Sequence, residues 1–249
     1  MAVAFFMMIL GIDTATTTAS VALVEDGKLV AEEVHLESPR GGGGLSPSAR
    51  ANHATTLLPL VERLLQRTRI SLDEISALAV SIGPGSFTGL RIGLSTVKGL
   101  AYGWDIPVVG VPTLAAMAAR VTDRDGFICP LLDARKREVY AALFVKQGKK
   151  LERMTSDLVS SPEKIIERIR SLGKEEPCLF IGDGTRTYGD LIQSSLGERA
   201  ILTLGESYPS CASAVARLAE ERVQRGEFDP LGPLVPLYLR PSEAELRKA

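Results

Sequence analysis

Two histidines and three cysteines are all that these 249 residues offer a soft or borderline metal. His35 and His53 belong to no paired-histidine motif, and Cys129, Cys178 and Cys211 are far apart, odd in number and in no metal or redox spacing. The cysteines are therefore expected to be buried thiols in a reducing compartment. Charge of one sign is equally scarce: 29 basic residues face 30 acidic ones, so no overall basic field draws the chain onto nucleic acid, and only a local patch or a basic partner could. The apolar run from Met1 to Ile12 has no basic residue ahead of it and passes straight into Asp13, so neither a signal peptide nor a membrane span is expected. Met7 or Met8 is an alternative start.

The most informative segment runs from Ser81 to Gly93. Leu78, Val80 and Ile82 alternate into a turn made of Gly83, Pro84, Gly85, Ser86 and Thr88, where Pro84 fixes a dihedral and the glycines allow conformations closed to other residues. Ser86 or Thr88 can cap the helix that follows. That helix carries glycines at 89, 93 and 99, each costing about 1 kcal/mol against alanine, so close backbone approach must compensate. Gly89 and Gly93, and separately Ser95 and Gly99, stand four apart and form rows where another helix can come near. Packing on the chain's own sheet gives the same pattern. The lysine and hydroxyl of a P-loop are missing, as is the dinucleotide fingerprint.

Elsewhere three apolar, branched-rich runs predict strands over Ile9–Asp13, Ser20–Val24 and Lys28–His35, the last two joined at Asp26-Gly27. A Gly/Pro/Ser-rich loop from Ser38 to Ser48 contains the Gly41–Gly44 run. An amphipathic helix is expected from about Ala51 to Arg67, with Leu57, Val61, Leu64 and Leu65 on one face, then a strand over Ala77–Ile82. A strand at Val108–Val111 and a helix over Pro112–Arg120 complete a β-β-β-α-β-α-β order, which implies a mixed sheet covered by helices. The second half repeats the scheme. Strands are expected at Phe127–Leu132, Glu138–Val145, Lys150–Met154 and Cys178–Ile181, with a helix capped by Ser161-Pro162 and a late helix carrying Ala212, Val215, Leu218, Ala219 and Val223. Pro230–Pro241 reads as an extended tail. Two α/β domains follow, over 1–110 and 111–249, with the last helix and tail able to pack back on the first.

The turn Ile82 to Arg91, the opening Ile9 to Ala15, Asp133-Ala134-Arg135 with Glu138-Val139-Tyr140, and the closing Pro236 to Arg240 together resemble the bacterial TsaB (YeaZ-like) family. The resemblance implies two duplicated actin/hexokinase/Hsp70-like domains, each a mixed sheet flanked by helices. It implies a non-catalytic subunit that works with the catalytic TsaD and the ATPase TsaE. Together they complete threonylcarbamoyladenosine beside the anticodon of tRNAs reading codons that start with adenine. The chain would be cytoplasmic, homodimeric in isolation, without cofactor or metal, and in touch with tRNA only through the complex. The pairing helices carried over are Asn52–Arg67 and Thr88–Tyr102, with His53, Leu57, Val61, Leu64, Gly89, Arg91, Gly93, Leu94, Ser95 and Lys98 as interface residues. Gly41–Gly44 departs from the pattern as an insertion.

Related kinases hold phosphate on a loop after strand one and on an acidic glycine turn in the other domain. Here the first loop, with Asp13, Thr14 and Thr16, has hydroxyls but no glycine, and the second has Ala134 where a glycine would serve. Both read as degraded phosphate loops. In TsaD a histidine pair on the first helix binds the metal, and His53 has no such companion. Gly-Pro-Gly-Ser-Phe is not a nucleophile elbow, and Arg135-Lys136-Arg137 reads as a solvated turn open to RNA. An ATP-dependent small-molecule kinase or ATPase is the competing reading.

Overall fold

The computed structural model describes residues 6–36, 53–172, 176–203 and 210–240. The Gly41–Gly44 run, the predicted helix start at Ala51 and Asn52, the residues before Phe6 and the end of the tail at Pro241 lie outside them. The chain divides into two units, Met1–Thr113 with Pro209–Pro236, and Leu114–Tyr208 with Leu237–Ala249.

The first unit is built on β1 (Met8–Asp13), β2 (Thr18–Glu25), β3 (Lys28–Leu36), β4 (Ala77–Gly83) and β5 (Val108–Pro112), in the order β3-β2-β1-β4-β5. The meander β1-β2-β3 is antiparallel, while β4 and β5 join parallel to β1, so Ile9 faces Ala77 and Leu78 faces Val108. The turn between β2 and β3 holds Asp26 and Gly27 at positive φ, as a two-residue hairpin requires. Leu10, Ile12, Val21, Leu23, Leu78 and Val80 point to one face, where α1 (His53–Thr68) and α2 (Phe87–Trp104) bury Leu57, Leu60, Val61, Leu64, Leu94 and Val97 against them. The opposite face is covered by α6 (Ala212–Gln224), which packs on β1, β2, β4 and β5. Gly11 makes that approach possible, because a Cβ there would lie 2.2 Å from the Ala212 carbonyl oxygen.

Past α6 the chain seals the free edge of β5. The Asp229 amide donates to the Val108 carbonyl (2.8 Å), its Oδ2 accepts from the Gly110 amide (2.7 Å), and Arg222 grips both carboxylate oxygens at 3.1 Å. A covered edge cannot pair with a foreign strand. Burial alone would raise the Asp229 carboxyl, but the Arg222 and Gly110 bonds outweigh it and hold the group below its ordinary value.

The second unit repeats the plan with β6 (Gly126–Arg135), β7 (Glu138–Ala141), β10 (Leu158–Ser160), β11 (Cys178–Ile181) and β12 (Ala200–Leu202), in the order β10-β7-β6-β11-β12. Here β6 takes the place of β1, with β7 antiparallel and β11 parallel to it. A side hairpin of β8 (Phe144–Gln147) and β9 (Lys150–Arg153) pairs with the start of β6. α4 (Pro162–Ser171) and α5 (Gly184–Leu196) cover a core of Phe127, Cys129, Leu131, Phe180 and Ile192. The short α3 (Thr113–Ala119) follows β5. The strand read over Glu138–Val145 is two strands, β7 and β8, and Ser161 sits at the start of α4 without bonding a backbone amide through its side chain. The β6–β7 turn is unusual. Arg135, Lys136 and Arg137 all take left-handed φ (64°, 54° and 61°), which costs an L-residue with a side chain roughly 1–2 kcal/mol each.

The three cysteines are buried and free; burial pushes the Cys129 thiol up to about 12 and Cys178 well above its ordinary value. Neither of these two thiols is a nucleophile at neutral pH. No described helix is long and apolar enough to cross a membrane.

Candidate functional site

β1 ends at Asp13 and β4 ends at the Gly83–Pro84 turn, side by side in the sheet, so the loop from Thr14 to Thr17 meets the start of α2. Gly83 has φ 119° and donates its amide to Thr113 Oγ1 at 3.1 Å; the Gly83–Pro84 peptide is cis. Ser86, not Thr88, is the cap, its Oγ accepting from the Gly89 amide at 3.2 Å. Its own amide donates to the Ala15 carbonyl at 2.7 Å, and the Thr14 hydroxyl donates to the Gly89 carbonyl at 2.8 Å.

These bonds draw the loop into contact with three glycines. A Cβ would lie 2.3 Å from the Ala15 carbonyl oxygen at Gly85, 2.0 Å from the Thr14 carbonyl oxygen at Gly89, and 2.3 Å from Thr14 Oγ1 at Gly93. The Gly89/Gly93 row therefore receives the chain's own loop, not a partner helix. A loop that presents carbonyl oxygens to the turn offers a phosphate repulsion where a phosphate-binding loop offers amides. His53 holds the loop from the other side: a ring nitrogen facing a carbonyl must carry the proton, so Nε2 donates to the Thr16 carbonyl at 3.1 Å. Nδ1 has no partner among the described residues. Thr16 Oγ1 accepts from the Thr18 amide within the same loop.

Asp13 is 1% exposed. Its Oδ1 accepts from the Ser81 hydroxyl (2.6 Å) and the Ala15 amide (3.1 Å), and the amide of Cys211, which precedes α6, lies near enough to favour the charged form. Burial nevertheless prevails and raises its pKa above the ordinary 3.8. The carboxylate that a kinase would aim at a metal-bound phosphate thus bonds within the unit through Oδ1, while its buried Oδ2 has no partner among the described residues. Glu32 supports the same helix start, accepting from the Ser210 hydroxyl at 2.6 Å and the Ser213 amide at 3.4 Å. Asp13→Ala should lower stability by about 1–3 kcal/mol, because Ser81 and Ala15 lose their acceptor. Asp13→Asn tests the titration. A pKa raised by folding adds stability that is complete below the unfolded value and is lost as pH rises through the folded one, so the stability difference should move in favour of Asn as pH climbs above 3.8. Denaturant unfolding of both variants at several pH values checks this.

In the second unit, the Asp133 amide donates to Asp183 Oδ1 at 2.9 Å, and Asp133 Oδ1 accepts from the Arg135 amide at 2.8 Å. Burial raises the Asp183 pKa despite the Asp133 bond. Ala134 is buried, and its carbonyl accepts from Arg240, which also binds Glu138 at 2.8 Å. Among the described residues no group of three or more His, Cys, Asp or Glu side chains is placed to hold a metal ion.

What unit one leaves open is the outer face of α1 and α2. Of the residues expected at an interface, His53, Leu57, Val61, Leu64, Gly89, Gly93 and Leu94 are buried in their own unit. The apolar face of an amphipathic helix is claimed first by its own sheet. Arg91 and Ser95 are exposed, and Lys98 is half-buried, its Nζ donating to the Gly232 carbonyl at 3.3 Å. With Thr88, Gly99 and Tyr102 the exposed pair forms one stripe at helical spacing along α2. A Cβ at Gly99 would meet nothing within 4 Å, and Tyr102 is 87% exposed. The α1 face adds Ala54, Leu58 and Glu62, with Leu58 52% exposed. Tyr102 and Leu58 were absent from the sequence-derived set; the spacing of Tyr102 from Ser95 and Gly99 was the available signal.

Residues 28–248 match the sequence family described as tRNA N6-adenosine threonylcarbamoyltransferase, TsaD. The chain is 34% identical over 237 residues to the tRNA threonylcarbamoyladenosine biosynthesis protein TsaB of Escherichia coli, covering 94% of this chain and 95% of that one. It belongs to the TsaB/YeaZ family. The TsaB of Bacillus subtilis is 31% identical over 241 residues, 97% of each chain. Among solved structures, YeaZ from Pseudomonas aeruginosa superposes with a TM-score of 0.75 at 27% identity, over 94% of this chain and all of that one. The TsaB/YeaZ assignment agrees with the repeated five-strand order: two actin/hexokinase/Hsp70-like domains, each a mixed sheet flanked by helices.

Proposed function

We propose that this chain is a non-catalytic scaffold in the formation of threonylcarbamoyladenosine on tRNA, acting with a TsaD-like catalytic subunit and a TsaE-like ATPase in the cytoplasm. The observation that carries the reading is the contrast within the first unit: the loop after β1 is packed shut by Gly85, Gly89 and Gly93, while the α1/α2 face is left open. A site filled with its own backbone serves no nucleotide, and an exposed stripe of small residues ending in tyrosine suits helix-on-helix docking. The outer face of α1 and α2 then pairs with the catalytic subunit, or with a second copy when the chain is alone, and tRNA is engaged only in the assembly. The names borne by the TsaB relatives support the pathway.

The test is threonylcarbamoyladenosine formed on unmodified tRNA by TsaD, TsaE and a threonylcarbamoyl-adenylate source, with the chain present or omitted. Product that needs the chain, when the chain alone makes none, is the expected result. Product indifferent to it would sink the reading and turn attention to nucleotide binding by the chain itself.

A further inference from the structure

The β6–β7 turn combines two features that the scaffold reading leaves unused. Three consecutive residues, Arg135, Lys136 and Arg137, are exposed and basic, and all three hold left-handed φ. Asparagine and glycine are the residues that relax such a turn, as at Asp26-Gly27 in the matching hairpin of the first unit. Long cations stand here instead. A backbone outlier of this kind points to a function that the local fold does not need.

Two of the acidic groups beneath the tip are paired with arginines. Arg135 is 84% exposed at the side chain while its partner Asp133 is 14% exposed, and Glu138 is held by Arg240. Arg137 lies within electrostatic reach of Glu163, and the Tyr188 phenol stands in the field of Asp133 and Glu163 first and of Arg137 and Arg135 after them. Arg240 ties the tip to its base by bonding the Ala134 carbonyl at 2.7 Å. The outermost groups are therefore cations on a braced hairpin.

We propose that this tip is an RNA-phosphate contact. In the setting of the preceding section the RNA is the tRNA substrate, and to that extent the proposal rests on that reading. No apolar residue lies between Arg135 and Glu138 to anchor a protein partner, whereas arginine, lysine and a tyrosine hydroxyl are the usual donors to a nucleic-acid backbone. With a formal net charge of −1 the whole chain exerts no basic field, so the contact is local and positions RNA held mainly elsewhere.

The test is the double variant Lys136→Asn/Arg137→Gly in the full chain, assembled with its catalytic partner and titrated with an unmodified tRNA transcript at several salt concentrations. The new residues suit the turn, so the melting temperature should hold or rise, and a folding defect cannot imitate the result. Affinity should fall about tenfold, equally for different tRNA sequences, and the slope of log affinity against log salt should shrink by about 1.4–1.8, the release expected for two phosphates. Unchanged affinity and slope would overturn the proposal. So would weaker association with the catalytic subunit while the preformed assembly keeps its tRNA affinity, which would make the tip a protein contact. If product formation proves indifferent to the chain, the scaffold reading fails, and the same comparison on the chain alone at low salt decides the RNA contact by itself.

Discussion

Gly89→Ala should destabilise the first unit at the upper end of the roughly 1–3 kcal/mol typical of overpacking, because the added methyl would lie 2.0 Å from the Thr14 carbonyl oxygen and backbone cannot swing aside as a side chain can. Gly93→Leu should act in the same direction through Thr14 Oγ1, which makes it a probe of folding and not of pairing. Gly99→Ala is the control. It lies in the same helix with open space around it, and should gain up to about 1 kcal/mol from helix propensity. Calorimetric melting of the three variants reads the contrast directly. If Gly89→Ala melts with the wild type, the loop does not pack as described.

Ser95→Trp should leave the isolated fold within about 0.5 kcal/mol of wild type, since surface changes away from special contacts rarely do more. Its effect belongs to the assembly. An indole on the exposed stripe between Arg91 and Gly99 would force the opposing helix away, and a typical overpacking cost of about 1–3 kcal/mol translates into association weaker by roughly 5- to 150-fold. On the proposed pairing, light scattering should report a larger share of monomer than for wild type, and threonylcarbamoyladenosine formation in the proposed assembly should fall in parallel at limiting concentrations. Tyr102→Ala should weaken pairing as the loss of an aromatic anchor does, by more than about 1 kcal/mol if Tyr102 lies at the centre of the contact. Unchanged association in both variants would remove this face from the interface.

Much of the architecture was legible because short-range chemistry announces it. Asp26-Gly27 marks a hairpin, apolar and branched-rich runs mark β1 and β2, alternation marks β4, and Gly83-Pro84-Gly85 can hardly be anything but a turn. The repeat of a meander followed by helices was visible for the same reason. What escaped depended on partners distant in sequence. Gly89 and Gly93 are as small as Ser95 and Gly99, and the sequence holds no mark that Thr14, 75 residues before Gly89, fills the space over the first pair. The helix α5 has no expected counterpart: it opens on Gly184 directly after Gly182 and Asp183, and glycine is a poor helix former. Asp13 reads from the sequence as part of a degraded phosphate loop; its proximity to the start of α6 lies beyond any local signal.

The path of the chain sets an order of events during synthesis. Glu32 waits for Ser210 and Ser213, the first of these 178 residues later, and the edge of β5 waits for Asp229. At about 5–20 residues per second a ribosome needs roughly 10–35 s to cover the first interval. Throughout it the nascent sheet has one face without α6, and Asp13 lacks the Cys211 amide. The second unit, apart from its tail, is made from one unbroken stretch and can finish first. The half of the molecule that emerges earliest thus stays open until most of the second unit has been made, and α6 followed by Asp229 closes it.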